Sequence, residues 1–131
     1  KGYYTLQVGE ELMYSADRLY QIGLLLFEQE NYKVAADRFI QADSINPYEL
    51  AYKENAANAL MRYGDDTRAL KLLNDLIDNF DSQSPMAYYL RGLILLDQGK
   101  KVEACSDLKY ANDNGLLNGT KLYGILCLGS N

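Results

Sequence analysis

The segment Ala35-Ala36-Asp37-Arg38-Phe39-Ile40-Gln41-Ala42 sets a small residue, a large apolar one four positions on, and another small one three beyond that. On a helix of 3.6 residues per turn these three share a face. The same face returns as Ala69, Leu73 and Leu76 and again as Ala104, Leu108 and Ala111, at spacings of 34 and 35 residues. A period of that length marks a stacked array in which each unit buries its apolar side against its neighbours. No two-residue alternation is sustained, so the expectation is an all-α chain of about seven helices without a sheet.

Upstream of each small residue runs a second stretch of helical period, with Leu19, Ile22, Gly23 and Leu26 in the first copy and Tyr88, Arg91, Gly92 and Leu95 in the third. Gly23 and Gly92 hold the same repeat position, where a missing side chain lets the paired helix come close and offsets a helix-propensity cost of about 1 kcal/mol. Each copy therefore reads as a helix hairpin. Glu30-Asn31, Gly64-Asp65 and Gly99-Lys100 fall between paired helices, and Pro47, Ser84-Pro85 and Gly115 fall between copies. Ser84 as a cap with Pro85 in the first turn predicts a sharp helix start. Leu122, Ile125 and Leu126, in the stretch from Thr120 to Leu128, predict a helix capping the last hairpin. Residues 1–15 read either as a lead-in helix or as the end of a further repeat, and Tyr3, Tyr4, Leu6 and Leu12 need cover in both cases.

On these residues the chain resembles the tetratricopeptide-repeat family, whose pattern is large-x2-Leu-Gly-x2-aromatic, then Ala-x3-Phe, then Ala and Pro. The copy at 16–49 fits best, through Leu19, Ile22-Gly23, Leu26, Tyr32, Ala35, Phe39, Ala42 and Pro47. The copy at 50–84 departs from it, with Lys53 for the large aromatic, Ala57 for Gly and no closing Pro. The copy at 85–118 keeps Tyr88, Gly92, Ala104, Leu108 and Ala111 but ends in Asp113-Asn114-Gly115. The resemblance implies one domain, a right-handed superhelical solenoid of antiparallel hairpins, with a lead-in at 1–15 and a capping helix and tail at 119–131.

The resemblance further implies that the first helix of each hairpin lines a concave groove. Its residues are Asp17, Tyr20, Leu24, Phe27 and Glu28 in the first copy, Ala51, Glu54, Asn58, Met61 and Arg62 in the second, and Met86, Tyr89, Leu93, Leu96 and Asp97 in the third. Tyr20, Phe27, Met61, Tyr89 and Leu93 would give a partner peptide or helix contact area at small entropy cost. Alternatively some of them pack internally or against residues 1–15. Asp17, Glu28, Glu54 and Asp97 against Arg62 leave the groove at net −3, which favours a partner with an apolar segment and basic flanks. The clamp that some such repeats place on C-terminal carboxylates needs Lys, Asn and Arg along these helices. Only Asn58 and Arg62 fit, and Tyr20 stands where the first Lys belongs, so recognition of that kind is not expected.

Composition removes other classes. The net charge is −5, from 13 basic and 18 acidic residues, and the longest basic run is Lys100-Lys101, far from the dense footprint that a phosphate backbone requires. Of the charges, 4 basic and 8 acidic residues lie in 1–49, so the N-terminal part is the acidic end. The chain has no His, the commonest general base and metal ligand. Acidic pairs such as Glu10-Glu11 and Asp65-Asp66 lack the alternating ligand spacing of a calcium loop and read as solvated turns and helix starts. Neither an enzyme, nor a metal, nor a cofactor is expected. The longest apolar run, Ile22 to Phe27, is too short to span a bilayer. Most of the 12 tyrosines, including Tyr32, Tyr52, Tyr88 and Tyr123, occupy repeat-core or turn positions rather than a sugar-binding platform.

Cys105 and Cys127 are 22 residues apart, too far for a Cys-x-x-Cys unit. The helices that carry them must pack together, which leaves a disulfide or two buried thiols. The sequence begins at Lys1, compatible with a mature form, a trimmed chain or a fragment. A bacterial periplasm or cell surface is slightly preferred to the cytoplasm, and the oligomeric state stays open. The function expected is a non-enzymatic adaptor holding a segment of another protein. The alternatives are a bacterial secretion-type chaperone with an apolar export substrate and a sensor or assembly domain of a longer chain.

Overall fold

The computed structural model describes the backbone of residues 2–116 and 121–129 and the side chains of residues 14–116 and 121–129. The expectations about cover for Tyr3, Tyr4, Leu6 and Leu12, and about a helix start at Thr120, lie outside the described residues. Among the described residues every regular element is a helix, as the repeat spacing requires. The helices form two compact units, Lys1–Asp65 and Asp66–Asn131. The dividing point falls inside the segment 50–84, between the second copy's two helices.

The first unit holds α1 (Gly2–Glu28), α2 (Tyr32–Ile45) and α3 (Leu50–Tyr63). α1 continues unbroken through residues 2–15, so the lead-in has no boundary of its own. α2 packs against both α1 and α3. Its face of Ala35, Phe39 and Ala42 is buried, the pattern with which the sequence repeats. Gly23 explains how closely α1 approaches: a Cβ there would lie 2.5 Å from the Phe39 ring. Ala16, Ala42 and Tyr52 close the core from three helices, with Leu19, Tyr20 and Ile45 packed around them. Lys53, the odd residue at its repeat position, is buried all the same. Its Nζ sits 2.6 Å from Asp43 Oδ1 and donates to the Pro47 carbonyl at 3.3 Å. The aliphatic stem fills the site of the usual ring while α2 supplies the counter-charge.

The second unit holds α4 (Asp66–Asn74), which runs on into a π-helical turn at Asp75–Asn79, then α5 (Pro85–Asp97), α6 (Lys101–Asp113) and a closing π-helical segment at Gly124–Leu128. α5 and α6 form its tightest pair. Here a Cβ on Gly92 would meet Leu108 at 3.1 Å and the Ala104 carbonyl at 3.2 Å. The Arg91 guanidinium donates two bonds to Asp107, at 2.7 and 2.8 Å, and a third to Asn74 at 3.2 Å. Tyr88 stacks on Tyr110 at 3.9 Å between ring centres, and the Tyr110 hydroxyl donates to the Gln83 carbonyl. The two cysteines are joined: Cys105 on α6 bonds Cys127 on the closing segment, with Cα atoms 5.7 Å apart.

α5 starts at Pro85 with Ser84 in the cap position, as the sequence predicts, but by a different bond. The Ser84 side chain makes no capping bond to the first turn. Its backbone N–H donates to the Ser82 hydroxyl at 3.2 Å and its carbonyl accepts from Ala87 and Tyr88. The helix start therefore rests on Pro85 and on the backbone.

Four helices end alike. The N–H groups of Asn31, Asp65, Lys100 and Leu116 reach back to the carbonyls of Leu26, Leu60, Leu95 and Ala111, each over a residue in the left-handed region. That residue is Gly64, Gly99 and Gly115 in three cases and Glu30, at φ 62°, in the first. A side chain there costs about 1–2 kcal/mol, part of which glycine's freer unfolded chain returns. Glu30→Gly should therefore stabilise the first unit by up to about 1 kcal/mol in denaturant titrations. A lower midpoint would mean that the Glu30 side chain contributes more than its backbone costs.

Candidate protein-interaction site

In the first unit, α1 and α3 carry the predicted groove residues. None of the ten is fully buried: Asp17, Glu28 and Arg62 are exposed, and Tyr20, Leu24, Phe27, Ala51, Glu54, Asn58 and Met61 are half-buried. The packing core of the same helices is buried, so the difference separates an inner face from a solvent-facing one. Ala16 and Gly23 mark the inner face of α1, and Tyr52, Ala56 and Ala59 that of α3.

Tyr20 belongs partly to each face. Its ring lies 5.0 Å from Tyr52 and 5.7 Å from Phe39, and Asn55 donates to its hydroxyl at 3.4 Å. Burial, and then the negative charge of Glu49, push its hydroxyl pKa above the ordinary tyrosine value, against the opposing Asn55 bond. The internal packing that the sequence left as an alternative thus accounts for much of this ring. Phe27 stands edge-on to Tyr32 at 5.1 Å, and the Arg62 guanidinium covers both rings at 5.7 and 5.8 Å. Arg62 also donates to the Tyr32 hydroxyl at 3.5 Å. Its charge is drawn onto aromatic faces, a contact worth about 0.5–1 kcal/mol at an exposed site. The remaining charges on the predicted face are acidic: Glu28 at this end of α1, and Asp17 and Glu54 towards the Tyr20 end.

Tyr32 and Asn55 help shape this face and the buried Tyr52 backs it behind Tyr20, although the sequence marks them only as core, turn or unassigned residues. The repeat register could have found Tyr52 and Asn55, since they lie one helical turn apart beside Glu54 on α3. Arg62 closing over Phe27 and Tyr32 joins three elements and has no local signature. In the second unit Met86, Tyr89, Leu93 and Leu96 are half-buried on α5 and Asp97 is exposed at its end. Leu90 and Ile94, between them, are buried. α5 thus shows the same division into an inner and a half-open side.

Solved structures with this arrangement of helices carry a common description. The first such domain of Spaghetti (RPAP3), bound to the HSP90 peptide SRMEEVD, superposes with a TM-score of 0.80 at 21% identity, over 88% of this chain and 93% of that one. This chain has the tetratricopeptide-repeat fold. The tetratricopeptide-repeat domain of Arabidopsis OM64 matches with a TM-score of 0.74 at 20% identity, over 88% and 93% of the two chains. The type III secretion chaperone SycD of Yersinia enterocolitica, in complex with a peptide of the translocator YopD, matches at 0.73 and 16%, over 88% and 94%. No family profile and no curated protein sequence matches the chain. The tetratricopeptide-repeat fold is thus shared with structures that differ from this chain at about four residues in five, which agrees with a period carried by small and large positions rather than by fixed identities.

Proposed function

We propose that this protein is a non-enzymatic interaction scaffold whose α1 and α3 hold an apolar segment of a partner protein with basic residues at its flanks. The observation that carries this reading is the half-open face of Leu24, Phe27 and Met61 set among Asp17, Glu28 and Glu54. Two of the similar structures, the RPAP3 domain and SycD, hold peptides, which supports the class of ligand. Half-buried apolar side chains supply affinity, and the acids steer the approach of a cationic segment. The Cys105–Cys127 pair further supports residence in an oxidising compartment.

The test is surface plasmon resonance with two peptides on the immobilised chain: SRMEEVD, and one with a Leu/Phe centre flanked by lysines. The lysine-flanked peptide should bind at least about tenfold more tightly. Phe27→Ala should speed its dissociation and Glu54→Lys should slow its association. Equal or tighter binding of SRMEEVD would sink the charge argument and restore carboxylate recognition. The likeness to SycD favours, as a second reading, a chaperone for an apolar export substrate. Tight binding of apolar peptides whatever their flanks would select it.

A further inference from the structure

Among the described residues, every side-chain nitrogen or oxygen that is sealed from solvent has a hydrogen-bond partner. Tyr52 is 5% exposed and packs with Ala16 and Ala42, yet its hydroxyl meets no donor or acceptor of the described residues. A hydroxyl in that position is not sealed, so the small exposure of Tyr52 lies at its tip. The tip faces negative charge. Burial first, and then Asp17 and Glu49, push the Tyr52 hydroxyl above the ordinary tyrosine range. Burial, Glu49, Glu54 and Asp17 act in the same direction on Tyr20, whose ring is 5.0 Å away. Asp17 sits on α1 one turn before Tyr20, and Glu49 stands immediately before α3, which its side chain does not cap. Neither Asp17 nor Glu49 pairs with a Lys or Arg of the described residues. The Asn55 amide beside them is already committed, to the Tyr20 hydroxyl and the Ala51 carbonyl. Acceptors from two elements thus converge around a hydroxyl that nothing described satisfies.

We propose that this cluster is the subsite for one basic residue of the partner, and that the residue is arginine; the proposal rests on the α1 and α3 face argued above. Carboxylates on separate elements, with a hydroxyl between them, call for a ligand that carries several N–H groups. A guanidinium presents them in a planar fork, and it gives up its weakly held water at small cost beside a buried ring. An ammonium is a compact, strongly hydrated point charge and satisfies fewer of these acceptors in one position. The rings of Tyr20, Tyr52 and Phe39 are packed on one another, so the recognition runs through hydroxyl and carboxylate rather than through stacking. At the other end of the face Arg62 lies over Phe27 and Tyr32 and offsets the charge of Glu28. Only one flank of the apolar segment is therefore read in this way.

The probe is acetyl-arginine amide, which carries no apolar segment, titrated into the whole chain and followed by NMR. The ring signals of Tyr20 and the side-chain amide of Asn55 should shift saturably, with a Kd on the order of 1–10 mM. Acetyl-lysine amide should need at least about five times the concentration. Tyr52→Phe removes only the unpartnered hydroxyl and should leave the melting temperature unchanged, and Asp17→Asn lies at an exposed position. Each should weaken binding of the arginine probe at least about threefold. No saturable shift up to about 100 mM, equal responses to the two probes, or parental binding by Tyr52→Phe overturns the proposal. Saturation by the arginine probe in a chain that does not bind the lysine-flanked apolar peptide would keep the subsite and remove the apolar segment. Tight binding of that peptide with equal responses to the two probes would do the reverse, so the two readings fail separately.

Discussion

Phe39→Ala should lower the free energy of unfolding by about 3–5 kcal/mol, because it deletes a fully buried ring at the meeting of α1 and α2. The ring is held from the other side by Gly23, and that makes the expectation specific. Gly23→Ala alone gains up to about 1 kcal/mol of helix propensity. Against this, its new Cβ meets a ring that has nowhere to go, a crowding that costs about 1–3 kcal/mol or more. The single change should therefore destabilise. In the Phe39→Ala background the obstacle is gone, and Gly23→Ala should become neutral or stabilising. Urea titrations of the four proteins form a cycle, and additivity across it would mean that α1 is not held at its distance by this contact. Gly92→Ala, where the nearest atoms stand at 3.1–3.2 Å and include the end of a leucine, should cost less.

Cys105→Ser, or reduction of the parent by a dithiol, should cost roughly 3 kcal/mol by releasing a 22-residue loop in the unfolded chain. The loss should be concentrated at the C-terminal end. The closing segment Gly124–Leu128 has no fully buried residue, and its Ile125 and Leu128 are more than half exposed. It is held to α6 by the covalent bond more than by packing. Hydrogen exchange should therefore show the amides of residues 124–128 released on reduction while those of α2 keep their protection. Unchanged exchange in that segment would show that packing alone suffices to hold it.

The repeat was legible in the sequence because its signal is geometric: Ala35, Phe39 and Ala42 recur at fixed spacing, and Gly23 records how near α1 comes to them. Lys53 shows the limit of that reading. As a mismatch to the repeat it carried no hint of its partner, since Asp43 lies ten residues away on another helix and neither residue is unusual alone. Arg91 and Asp107 escaped notice for the same reason. The exchange of Gly for Glu30 at a turn that two other hairpins make with glycine was visible in the register, yet only the backbone shows that the conformation is kept. The residues of the candidate face were named through the family resemblance; the structure leaves them half-buried or exposed and ties two of them to neighbouring rings. Tyr20 is spent largely on Tyr52 and Phe39, and Arg62 on Phe27 and Tyr32, because rings within reach of one another compete with any ligand for the same surfaces.

The π-wound turn at Asp75–Asn79 bears on how the chain absorbs insertions. Leu19 to Lys53 is 34 residues and Lys53 to Tyr88 is 35, and the added residue falls between Leu76 and Tyr88, the stretch that the π turn opens. Such a turn closes each hydrogen-bonded ring with one residue more than an α-helical turn, as between the Phe80 N–H and the Asp75 carbonyl. An insertion wound this way is taken up on the spot, like slack in a single coil. Leu73 before it, Leu76 within its first residues, and Ala87 and Leu90 after it are all buried, as their alignment with the other copies demands, so the repeat pattern resumes in register after the added residue.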